Sequence, residues 1–297
     1  MARKRSRVRH IIEYLGLRLG LRLADKLSIK TASALAIRLA DVWFILDAQR
    51  RRHAQANILR SGIATQDREI RRVARASFRH FALLVVESLK ADPLLCGEDW
   101  RRHVEFDIPA ETLRLLEEPG RGVLLVSGHL GNWEIAAQML ARIKPVVGIT
   151  RPMNNPYTNG LIRARKERGQ FRLTPKHDAS PARLLDVLRR GEILALLVDQ
   201  YAGSQGIMVD FFGHPASTHS SPALLHLITG APICFGYCTR VAPMRFRFSA
   251  RAPMIYPRSG RREEDVRAIL TRLNTELENA IRAHPEQYLW AHRRWRD

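Results

Sequence analysis

From about residue 120 to residue 250, short unbroken apolar runs alternate with stretches whose apolar positions recur every three or four residues. The runs at 122–127 (GVLLVS), 146–150, 171–174 and 193–198 read as buried strands. Between them the helical period predicts helices over 132–142, 156–168 (stopped by Gly169) and from the Ser180-Pro181 cap to Gly191. Ser221-Pro222 opens another helix, which Gly230 ends. Residues 233–239 and 245–250 read as further strands. Val266, Ile269, Leu270, Leu273, Leu277 and Ile281 mark a long last helix. Strand and helix in alternation predict an α/β fold: a mostly parallel central sheet flanked by helices. No internal repeat is present.

The first 90 residues follow a different pattern. Leu15, Leu19, Leu23 and Leu27 form one i, i+4 row, and Arg18, Arg22, Lys26 and Lys30 form another. Leucines at 15, 17, 19, 21 and 23 would also suit a strand, but the period-four rows run further and favour a basic amphipathic helix. Such a helix can lie in a membrane interface, its apolar arc among acyl chains and its basic rows among headgroups. The alternative is a helix packed on its own domain with a solvated basic face. Residues 34–46 and 67–89 read as two more helices. The domain division expected is 1–50, basic membrane-associating helices, and 51–297, the α/β domain.

Composition sharpens this picture. The 297 residues are 45% hydrophobic, which excludes a disordered chain. Lys plus Arg number 49 against 29 Asp plus Glu, a net charge of +20. Residues 1–60 hold 14 basic and 4 acidic residues, so half of the excess sits in a fifth of the chain. That points to an anionic partner: a lipid surface, an acidic protein or nucleic acid. Cys96, Cys234 and Cys238 cannot build a disulfide framework or a paired zinc site, and the last two read as inert core thiols. Arg18 and Arg22 interrupt the only early apolar stretch, so neither a secretory signal nor a membrane span is read there.

Sites in such folds lie beyond the carboxyl ends of the parallel strands. The first run ends in Ser127-Gly128-His129-Leu130-Gly131-Asn132-Trp133-Glu134. On one continuous helix His129 and Glu134 would be about 500° apart around the axis. They can meet only if His129 lies in the turn and Glu134 in the first helical turn. Glu134 would then bond one ring nitrogen and leave the other free as a base. No G-x-S-x-G, H-E-x-x-H, P-loop or G-x-G-x-x-G is present. A base without a protein nucleophile suits direct acyl transfer, in which the substrate hydroxyl attacks.

The segment GHLGNWE, with His129-x4-Glu134, resembles the signature of the bacterial lipid A biosynthesis (late, secondary) acyltransferases, within the wider lysophospholipid and glycerolipid acyltransferase superfamily. RPMNNP (151–156), Val198-Asp199-Gln200, the FFGHPAST loop (211–218) and the closing segment 287–295 agree, in collinear order over nearly the whole chain. The resemblance implies a glycerolipid acyltransferase-like fold. It implies fatty acyl transfer from acyl carrier protein to a hydroxyl of a lipid A precursor, without metal or redox cofactor, at the cytoplasmic face of the bacterial inner membrane. His129 would be the general base and Glu134 its orienting carboxylate. Arg151 would contact oxyanion or phosphate, and Asn155, Asp199 and Gln200 would shape the cleft. The implied partners are acyl carrier protein, a phosphorylated glycolipid acceptor and an anionic membrane surface. Two alternatives differ in substrate or class. One is acylation of another glycolipid or phospholipid, such as a mannosylated phosphoinositide. The other is a non-catalytic basic protein that binds membrane or nucleic acid. No recognised nucleic-acid motif is present, so nucleic acid is not expected as a partner.

Overall fold

A computed structural model of the chain describes residues 7–91, 95, 97–167 and 170–296. Cys96 and the helix stop at Gly169 lie outside these residues. Four helices come first: α1 (Arg7–Lys26), α2 (Ile29–Leu46), α3 (Ala48–Arg60) and α4 (Asp67–Lys90). Then follow β1 (Val104–Asp107), α5 (Ala110–Glu117), β2 (Val123–Ser127), α6 (Trp133–Leu140), β3 (Val146–Thr150), α7 (Pro156–Lys166) and β4 (Phe171–Pro175). Next are α8 (Pro181–Arg189), β5 (Ile193–Leu197), β6 (Ile207–Phe211), β7 (His214–Thr218) and α9 (Ser221–Thr229). The chain closes with β8 (Ile233–Ala242), β9 (Arg245–Ala250) and α10 (Arg262–Ala283).

Seven strands form one sheet in the order β1-β9-β8-β2-β5-β3-β4. Every neighbouring pair is parallel except β8 with β9. The α/β architecture read from the pattern is therefore the observed one. β2 shows why its strand is a run and not an alternation. Val123 and Leu125 join one buried cluster with α5 and α6, while Leu124 and Val126 join the other with α8, α9 and α10. Both faces of the sheet are covered, so both sets of alternate side chains are apolar. Cys234 and Cys238 lie on the same face of β8, fully buried. Burial pushes the Cys234 thiol up to about 12, so it stays protonated and unreactive.

Two sequence expectations change. The N-terminal rows do not run through one helix. α1 stops at Lys26, and Ser28 caps α2 by accepting from Thr31 N at 3.1 Å. Leu27 and Lys30 thus leave the rows they seemed to extend. The FFGHPAST stretch is not a loop but the hairpin β6–β7, pairing Phe211 with His214. Its two turn residues, Phe212 and Gly213, have φ of 52° and 72°, the backbone of a two-residue hairpin turn.

Candidate active site

The parallel register pairs Ser127 on β2 with Leu197 on β5. Two residues beyond that pair, on adjacent strand ends, stand His129 and Asp199. Asp199 Oδ1 accepts from His129 Nδ1 at 2.8 Å, and its Oδ2 accepts from the His129 backbone N–H at 2.8 Å. One carboxylate therefore holds both the ring and the backbone of the same residue. With Nδ1–H donated to Asp199, the lone pair is on Nε2. Gln200 reaches that nitrogen with its amide at 3.4 Å. The Trp133 ring packs on the imidazole in a T-shaped arrangement, with centroids 4.8 Å apart.

Asp199 is 4% exposed. Burial alone would raise its pKa, but the His129 ring charge, its two hydrogen bonds and the Arg294 guanidinium outweigh burial and hold it at about 2. The Tyr288 hydroxyl also donates to this carboxylate, and burial with that neighbouring charge pushes the phenol well above its usual range. Arg294 is itself buried, donating to Ser217 O and to Thr218 Oγ1. Tyr288 and Arg294 belong to the closing segment, so the C-terminus completes the site. The closing segment holds both, but nothing in the sequence singled out either residue.

Glu134 is where the sequence argument needed it, in the first turn of α6 behind the N-cap Asn132, with His129 in the preceding turn. Its bond is different from the one expected. The carboxylate bond to one ring nitrogen expected of Glu134 is made by Asp199, on Nδ1, and Glu134 forms an ion pair with Lys166 of α7. Asp199, expected only to shape the cleft, is the carboxylate on the ring. Asn155 is a structural cap. Its Oδ1 accepts from Tyr157 N at 3.0 Å, and its Nδ2 donates to His10 O and Glu13 Oε2 of α1, at 2.8 and 3.0 Å. Arg151, just past β3, is exposed and makes no ion pair among the described residues. Because β2, β5 and β3 are parallel neighbours, His129, Gln200 and Arg151 share one end of the sheet.

Three of the turn's amides are engaged: His129 N with Asp199, Gly131 N with Gln287 O, and Asn132 N with Cys238 O. Those three cannot also form an oxyanion hole, and Gln200 and Arg151 are side-chain donors at the same end of the sheet. Gly131 has φ of +62°, and a Cβ there would meet Cys238 O at 2.0 Å. Gly131→Ala is therefore expected to break the turn and to lower the yield of folded protein severely, as read by expression and thermal melting.

The sequence pattern of the bacterial lipid A biosynthesis acyltransferases matches residues 1–297. The chain belongs to that family. Among curated lipid A acyltransferases, it is 25% identical over 191 residues to the lipid A biosynthesis lauroyltransferase of Escherichia coli K12, covering 64% of this chain and 61% of that protein. The lipid A biosynthesis palmitoleoyltransferase of the same strain is 24% identical over 223 residues, 74% of this chain and 70% of that one. A phosphatidylinositol mannoside acyltransferase of Mycobacterium tuberculosis CDC 1551 is 26% identical over 232 residues, 69% and 71%. The solved 1-acyl-sn-glycerophosphate acyltransferase of Thermotoga maritima superposes with a TM-score of 0.35 at 11% identity, over 82% of this chain and 97% of that one, too loosely to carry an argument. The His129 turn, whose sequence carries the resemblance, is the one that Asp199 and the closing segment hold.

Proposed function

We propose that this chain transfers a fatty acyl group from an acyl carrier protein thioester to a hydroxyl of a lipid A precursor, at the cytoplasmic face of the bacterial inner membrane. The observation that carries the reading is the His129–Asp199 pair, which leaves Nε2 as a base at the sheet's carboxyl end in a chain of this family. Nε2 takes the proton of the acceptor hydroxyl as its oxygen attacks the thioester carbonyl. The tetrahedral oxyanion meets the Gln200 amide and the Arg151 guanidinium. It collapses, the C–S bond breaks, and the imidazolium returns the proton to the departing thiolate. These steps need neither metal nor redox cofactor. Glu134, paired with Lys166, lies in the same turn-helix unit and does not touch Nδ1.

Membrane contact is supported by α2. Its small residues Ala32, Ala36 and Ala40 are buried, α4 being the helix it packs on, while Leu35, Leu39, Val42 and Ile45 are exposed. A helix facing water would reverse that. Leu15, Leu19 and Leu23 of α1 are exposed as well. Among the described residues, no helix is long and apolar enough to cross a membrane. An apolar surface rimmed by arginine suits a bilayer interface with anionic lipid. The double variant Leu19→Glu, Leu39→Glu is expected to bind anionic phospholipid vesicles about tenfold less tightly, with an unchanged melting temperature. Equal co-sedimentation with wild type would oppose interfacial docking.

The activity is tested with purified protein in detergent, a fatty acyl carrier protein and a phosphorylated lipid A precursor. The expected product is the precursor heavier by one acyl chain in the mass spectrum. A mannosylated phosphoinositide belongs in the same assay, because the likeness to the mycobacterial enzyme is of similar strength. Acylation of that lipid alone would move the acceptor to the second reading. No acylated glycolipid or phospholipid at all would overturn both.

A further inference from the structure

Ser77, His80, Leu84 and Glu87 lie along one buried face of α4. Three of the four are polar, on a face where a core helix carries aliphatic residues, and each has its partner in the site's framework. Ser77 Oγ donates to Tyr288 O at 2.5 Å. His80 Nε2 bonds Gly131 O at 3.1 Å. Glu87 accepts from Asn132 Nδ2 at 3.0 Å and from Arg240 Nε of β8. Arg240 Nη2 meets His80 Nδ1 at 2.8 Å, and the Gln287 side chain brackets the Arg240 backbone, accepting from its N at 2.9 Å and donating to its O at 3.1 Å.

The tautomer of His80 follows from these contacts. A guanidinium only donates, so Nδ1 is the acceptor and Nε2 carries the hydrogen given to Gly131. Burial and the Arg240 charge hold this histidine at about 3, neutral at ordinary pH. Gly131 and Asn132 immediately follow the residue pair His129-Leu130, and His129 O accepts from Leu289 N at 3.0 Å. The network therefore grips the far side of the turn whose near side Asp199 holds.

We propose that His80, Glu87 and Arg240 are positioning residues for His129, acting through the Gly131–Asn132 backbone. The inference rests on the reading of His129 as the base. All three lie outside the His129-x4-Glu134 signature, and a buried ionic network with every member partnered specifies one geometry for what it touches. A network serving stability alone would lower the melting temperature and leave the folded enzyme's rate constant unaltered.

The test uses His80→Phe, His80→Gln and Glu87→Gln in the full chain, with His129→Ala alongside. Phe keeps bulk and loses the donor; Gln keeps an N–H near the Nε2 position. In folded His80→Phe and Glu87→Gln, kcat should fall about 10- to 100-fold, with KM for acyl carrier protein thioester and lipid A precursor within threefold of wild type. Amide hydrogen exchange across 128–133 should quicken in His80→Phe, and His80→Gln should restore both rate and protection. If His80→Phe does not fold, Glu87→Gln decides by the same two readouts. Wild-type kcat and exchange in the folded variants, with His129→Ala inactive, would overturn the positioning role alone. An active His129→Ala would overturn the reading of the base, and the exchange data would still report whether the network holds the turn.

Discussion

His129→Ala is expected to lower kcat by about 10³- to 10⁴-fold. A positioned general base contributes roughly 10²- to 10⁴-fold, and here it serves two steps, taking the acceptor's proton and returning it to the thiolate. Neither neighbouring carboxylate can replace it. Asp199 is held well below its ordinary range and is turned toward Nδ1, away from the substrate side. Glu134 is engaged by Lys166. The variant should fold. Asp199 keeps the backbone N–H of residue 129 and the Tyr288 hydroxyl after the ring is gone. Losing one charged hydrogen bond there costs on the order of 1–3 kcal/mol. Steady-state kinetics with acyl carrier protein thioester, beside a thermal melt, measure both quantities. A kcat within threefold of wild type in folded protein would remove His129 from the mechanism.

Most strands and helices from residue 120 onward were legible because each carries its own period; the β6–β7 hairpin, read as a loop, was not. β2 announces itself as five consecutive buried residues, and α8 through a Ser-Pro cap and a closing glycine. What local pattern does not contain is register. His129 and Asp199 are 70 residues apart. They meet only because β5 inserts between β2 and β3 and pairs Leu197 with Ser127. For the same reason Glu134 was placed correctly on its helix and given the wrong partner. Position within a turn is local, whereas Lys166 reaches it across the sheet's end from α7. α1 and α2 show the converse failure. A period-four row was followed across Leu27 and Ser28, although a serine before Thr31 is a helix start. The polar residues of α4 were hidden in the gaps of its apolar pattern. Ser77, His80 and Glu87 fall outside that pattern, and only the tertiary fold shows them buried against the turn, β8 and the closing segment.

The charge separates along the same lines. Of the basic residues in α1, Arg9 pairs with Glu13 and Arg18 donates to the Tyr14 hydroxyl. Asp25 at the end of α1 takes Arg165 of α7, the neighbour of the Lys166 that holds Glu134. The helix facing the proposed membrane is thus tied by one ion pair to the element that pairs with the signature carboxylate, and by Asn155 to the segment after Arg151. A lipid surface that seats α1 would seat the two sides of the cleft with it.

Asp199→Asn separates the two carboxylates. The amide cannot accept at both positions that Asp199 Oδ1 and Oδ2 now occupy, so either the ring loses its Nδ1 acceptor or the backbone N–H of 129 faces a donor. The wrong tautomer then puts the hydrogen on Nε2, where the base is needed. In the serine-protease triad the same exchange costs about 10⁴ in kcat, and here a fall of about 10²- to 10⁴-fold is expected with KM little changed. Glu134→Gln removes a charge that does not touch Nδ1. It should slow turnover about 10- to 100-fold through release of Lys166. The two rate constants, measured on folded variants, decide the assignment. An Asp199→Asn enzyme near wild type beside an inactive Glu134→Gln would return the ring's orienting carboxylate to Glu134.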